Sequence, residues 1–155
     1  MKRHSITLVL LLLAGTSPAI GEESADLVRA VKNSHPMVLW QAHRVLKANL
    51  TCLGHQDLAV LGTEETRTII AILAKGRSKR PIVLEIDSDL SAASVTFTVE
   101  SQDFEIGDGK HGDVAPLPGF KRSKTCKGLR LDDDRIDSVH IYWNRAESRF
   151  QTWQR

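Results

Sequence analysis

The sequence predicts a mainly β domain of α+β class: a small antiparallel β-sheet, sandwich or barrel-like fold with one N-terminal helix and one disulfide. Three observations carry that expectation. From residue 43 onward, short runs of β-branched and aromatic residues recur about every 8–15 residues, with polar turns between them. One stretch with helix signals precedes them. The chain holds two cysteines, Cys52 and Cys126. At 155 residues it is long enough for one domain, and 41% hydrophobic residues exclude a disordered chain.

Residues 24–33 read as a short helix. Ser24 is a capping residue, Asp26 sits in the first turn, and Leu27, Val28, Ala30 and Val31 form an apolar face. Pro36 ends it. Met37-Val38-Leu39-Trp40 shows neither helical nor strand period. Arg44 to Leu50 alternates loosely around Val45 and Leu46. Residues 57–62 and 67–74 form a hairpin around the polar turn Thr63-Glu64-Glu65-Thr66. Residues 82–86 follow a basic connection. Residues 94–100 alternate cleanly, with Val95, Phe97 and Val99 on one side. Residues 102–120 form a long Gly- and Pro-rich loop, longer than ordinary connections. Lys121 to Leu131 is a candidate strand. Residues 136–143 alternate, with Val139, Ile141 and Trp143 opposite Ser138, His140 and Tyr142, and the chain returns through residues 149–153.

The first residues read differently. Met1 to His4 is basic, Ile6 to Ala14 is apolar apart from Thr7, and small residues follow to Gly21. This is the grammar of a secretory signal, expected to cover residues 1–21 and to leave a single β-rich domain over 22–155. About nine apolar residues span roughly 14 Å as a helix. A bilayer core is roughly 30 Å thick. Excision removes Lys2 and Arg3, which takes the basic count from 21 to 19, equal to the 19 acidic residues. The expected mature domain is neutral, so no general attraction to nucleic acid remains. No second apolar run is long enough to span a membrane. The expected location is periplasmic or secreted, and in such a compartment two cysteines read as one disulfide. Chain-entropy arguments give a loop of this size about 4–5 kcal/mol.

Val45-Leu46-Lys47-Ala48-Asn49-Leu50-Thr51-Cys52-Leu53-Gly54-His55-Gln56-Asp57-Leu58-Ala59-Val60-Leu61-Gly62 resembles a single degenerate FG-GAP/VCBS-type repeat. In that family a strand enters an Asp-rich calcium turn containing a Gly, then an Asp and a second apolar strand. The acidic ligands align here with Asn49, Thr51 and Leu53, and only Asp57 remains acidic. The resemblance therefore implies the strand–turn–strand shape without the ion, with the Cys52 disulfide as the staple instead.

No catalytic set, cofactor motif or metal-ligand spacing is legible. HExxH, HxH and GxSxG are all absent. Ser138 and His140 share a strand face about 7 Å apart, beyond nucleophile–base reach. Glu85 and Glu100 form a carboxylate pair only if their strands adjoin. Charge is sorted by segment. Lys75, Arg77, Lys79 and Arg80 form one basic cluster, Lys121, Arg122, Lys124, Lys127 and Arg130 a second, and residues 85–113 are acidic. From these, Lys75, Arg77, Lys79, Arg80, Lys121, Arg122 and Lys124, with His140 and the terminal Trp153, are the candidate interaction residues. The expected function is a secreted or periplasmic binding module, of the inhibitor or immunity-partner kind, engaging another protein or an envelope component. The alternatives are a carboxylate- or His140-dependent envelope hydrolase and a structural envelope protein.

Overall fold

The computed structural model describes residues 20–86, 90, 95–104, 117–134 and 136–154. Residues 1–19 of the expected signal segment and the centres of the loops after residues 86 and 104 lie outside these. One helix precedes nine strands: α1 (Ile20–Ser34), β1 (Leu39–Trp40), β2 (Leu46–Ala48), β3 (Asp57–Glu64), β4 (Arg67–Leu73), β5 (Ile82–Ile86), β6 (Thr96–Gln102), β7 (Ser123–Asp133), β8 (Ile136–Asn144) and β9 (Arg149–Gln154). They make two antiparallel sheets, the first in order β1-β3-β4-β5 with β2 also on β3, the second a β6-β7-β8-β9 meander. The fold is the expected one, in its sandwich form; no barrel closes among the described residues. No helix among them is long and apolar enough to cross a membrane.

Period-2 patterning decides what each sheet buries. Ala59, Leu61, Ile70 and Ile72 of the first sheet face Phe97, Leu129, Leu131, Val139, Ile141, Trp143 and Phe150 of the second, forming the core between them. The opposite face of the first sheet is also apolar, because β3 and β4 carry continuous aliphatic runs rather than alternation. Leu58, Val60, Ile69 and Ala71 lie there under Leu27 and Val31 of α1, with Val38 and Trp40. Thus α1, the first sheet and the second sheet stack as three layers.

The helix begins earlier than its capping signal at Ser24 predicts, with Glu22 and Glu23 in its first turn. Carboxylates there complement the positive end of the helix dipole. Glu23 also meets Lys75 and Lys47. The Lys75 ammonium, outweighing partial burial, holds its carboxyl below the usual range.

Cys52 in the β2–β3 turn and Cys126 in β7 form a disulfide between the sheets. That turn is organised by Asp57, which is fully buried. Its Oδ2 accepts from Leu50 N at 3.0 Å, Thr51 N at 2.8 Å and Thr51 Oγ1 at 2.8 Å. Its Oδ1 accepts from Lys75 N at 2.8 Å. Four donors satisfy this carboxylate without a cation, as a buried acceptor requires.

Candidate functional site

Among the described residues no helix lies over the outer face of the second sheet. Register sets its side chains in rows: Thr98, Arg130, His140 and Trp153 lie across β6, β7, β8 and β9 in one, and Glu100 lies opposite Gly128 in the next. Glu100 Oε2 accepts from His140 Nδ1 at 2.8 Å. To do so it reaches from β6 over β7 to β8. Gly128 is what lets it pass. A Cβ there would sit 3.1 Å from Glu100 Oε1 and 2.9 Å from the Ile141 carbonyl oxygen, closer than ordinary van der Waals contact.

Trp153 stacks on the His140 ring, with centroids 4.1 Å apart and planes 14° from parallel. Phe104 lies 6.2 Å from Trp153 and 5.1 Å from Phe120, which meets Tyr142 edge-on at 5.6 Å. The result is an aromatic ridge across the free face, with a carboxylate-held imidazole at one end. Both Glu100 and His140 side chains are largely buried, at 17% and 12% exposure. Their partnership offsets the cost of burying polar groups.

A polar scaffold fixes the ridge. The Tyr142 hydroxyl lies 2.9 Å from the Pro118 carbonyl and 2.8 Å from Gln151 Oε1, and its single proton serves one acceptor at a time. Burial, with a smaller effect of the Glu147 charge, pushes its phenol above its ordinary value. Asn144 Oδ1 accepts from Ala146 N and Glu147 N. It packs so tightly on Gly119 that a Cβ there would fall 1.8 Å away, and Gly119 has φ +66°. Only glycine meets both demands. These contacts set the path of the chain into Phe120.

The sequence candidates separate into two groups. His140 and Trp153 come together on the ridge. The basic residues of 75–80 and 121–127 lie at one end of the sandwich, while Arg130 lies beside His140 on the outer face, and several are already engaged. Lys75 is paired with Glu23, Arg122 with Asp103, and Arg130 with Asp132. The Arg77 guanidinium lies 4.6 Å above the Trp143 ring. Glu85 pairs with Arg67 on the first sheet, so Glu85 and Glu100 sit on different sheets with different partners. Ser138 donates to Asp132 at 2.6 Å and accepts from Arg130 at 3.0 Å, leaving its hydroxyl engaged away from His140. Sequence reading missed Gly128, Phe104 and the Glu100–His140 pairing. The available signal was a glycine inside a β-rich run, which marks a close approach. Among the described residues no cluster of three His, Cys, Asp or Glu side chains is placed to hold a metal.

The class these features define is a disulfide-linked, two-sheet antiparallel sandwich with an aromatic outer face. No family model, curated protein or solved structure matches the chain.

Proposed function

We propose that the protein is a secreted or periplasmic binding module of the inhibitor or immunity-partner kind, and that it engages another protein through the Trp153–His140 ridge. The observation that carries this reading is the stack itself. A tryptophan and a carboxylate-held histidine, flanked by Phe104 and Phe120, occupy a sheet face over which no layer lies among the described residues. Rigid aromatic side chains with few rotatable bonds are what protein interfaces use as anchors. The experiment is capture of partners from envelope extract on immobilised protein, beside Trp153→Ala. The expected outcome is a retained protein whose affinity falls at least tenfold, about 1.4 kcal/mol, in the variant. Equal retention by both proteins would sink the proposal.

One observation favours a second reading, a His140-dependent envelope hydrolase. Glu100 holds Nδ1 of His140, the arrangement that orients an imidazole as general base. Ser138 is engaged elsewhere, so such an enzyme would activate water. Hydrolysis of an envelope polymer, lost in both His140→Ala and Glu100→Gln, would select this reading.

A further inference from the structure

The two basic segments, far apart in sequence, meet at one end of the sandwich. The turn between β2 and β3 lies between them. On one side of it, His55 packs against Gly76, where a Cβ would lie 3.2 Å from the imidazole. On the other side, Asn49 Nδ2 donates to the Thr125 carbonyl at 3.4 Å, Lys127 N donates to the Asn49 carbonyl at 3.0 Å, and Cys52 is bonded to Cys126. Arg77 closes the approach by crossing from the first sheet to Trp143 of the second.

Most acids described near this end are spent, Glu22 beside Glu23 being exposed. Asp57 is buried under four donors, Glu23 is paired with Lys75, Asp103 with Arg122, and Glu147 with Arg149. The residues 105–116, with Glu105, Asp108 and Asp113 against Lys110, lie outside the described ones. Arg77, Lys79, Arg80, Lys121 and Lys124 are exposed and Lys127 half-buried, and none has an acidic partner among the described residues. At the far end the exposed charges include Glu65, Asp134 and Asp137. The molecule is polarised along its strands.

We infer that this basic end binds an anionic polysaccharide. Charge complementarity gives the sign of the partner. Its class follows from what the end lacks. A protein partner needs a central apolar anchor that is desolvated on binding. Among the described residues the exposed large hydrophobic side chains are Met37, Leu39, Leu53 and Val99, and Leu53 alone belongs to this turn. Cations spread over two segments, with no central apolar anchor among the described residues, suit a hydrated chain carrying regularly spaced charges. This surface adjoins the aromatic ridge at Phe120 and Lys121 but uses other residues, and the inference stands without the protein-binding proposal.

The test uses heparin as the sulfated probe and polyglutamate as the acidic-peptide probe, on full-length protein secreted with its disulfide. Three variants are compared: Lys79→Glu/Arg80→Glu, Lys124→Glu/Lys127→Glu, and Arg29→Glu/Lys32→Glu on α1 as an equal charge change elsewhere. Circular dichroism and thiol counting verify folding. Heparin binding is expected, with about a tenfold loss at moderate salt for each of the first two variants and a shallower salt dependence. The α1 variant should bind like the parent. Failure to bind heparin at low salt would overturn the inference. So would an equal loss in all three variants, which would reduce the effect to net charge. Polyglutamate bound as tightly as heparin would make the end a site for acidic protein and overturn the polysaccharide assignment.

Discussion

On the first sheet the outward side chains are Leu58, Val60, Ile69 and Ala71, and α1 lies over them; on the second they include Thr98, Glu100, Arg130, His140 and Trp153, and they cover one another. Both sheets are antiparallel and both contribute to the same core. The difference lies in how each treats its second face. An aliphatic face must be covered by a layer of chain, because exposed apolar area of that size is costly. A face of ion pairs, amides and stacked rings stays folded with water beside it. The covered face therefore contributes stability, and the other is the face proposed for recognition.

The largest expected effect tests the covered face. Leu27→Ala empties a position that is 1% exposed beneath the helix, and urea unfolding should show a loss of about 3 kcal/mol. A loss under 1 kcal/mol would mean that α1 is dispensable and the contrast false. Next comes Gly128→Val. Its side chain collides with the Ile141 carbonyl and with Glu100, so it should cost about 1–3 kcal/mol. The parent is expected to show a slowly exchanging Nδ1–H proton resonance of His140, and Gly128→Val should abolish it, as Glu100→Ala should. Survival of that resonance would show that Glu100 does not need the gap.

A smaller effect appears at high pH. The phenol of Tyr142 is raised by burial and secondarily by Glu147, so the folded state retains the proton longer than the unfolded chain. Its contribution is complete below the unfolded value of about 10 and is lost as pH rises through the higher folded value. Tyr142 is the only tyrosine, so ultraviolet tyrosinate absorbance reports it alone. Coincident titration of native and urea-unfolded protein would contradict this burial. The smallest effect concerns Gln102, whose buried Nε2 has no hydrogen-bond partner among the described residues. Gln102→Met should leave stability unchanged or raise it by about 1 kcal/mol, read as a thermal midpoint equal to or above that of the parent.

The strands were legible wherever one residue type dominated. The hairpin of β3 and β4 and the strand β5 follow directly from β-branched runs between polar turns. The alternation of 136–143 divides Val139, Ile141 and Trp143 from His140 and Tyr142 as the two faces of β8 do. Strand β1 was not, since its two residues hold their place by pairing Leu39 with Thr63 and Trp40 with Gly62, a contact between distant parts of the chain. The ridge was half legible. His140 and Trp153 stand out as residue types, but their stacking depends on the β8–β9 register. Glu100 reaches His140 only because a third strand carries glycine at 128. Periodicity reports which face a residue occupies and is silent on which strand lies beside it.

The disulfide carries one further consequence, in the order of events during biogenesis. Each sheet is assembled from an uninterrupted stretch of chain, 39–86 and 96–154, and nearly all strand pairs join neighbours in sequence. Such local pairings form early. Cys52 belongs to the first stretch and Cys126 to the second, so native oxidation waits until the later half has been delivered and the two sheets have met. Thiol trapping during refolding would then date that meeting, and the pair serves as a clock for assembly as well as a brace.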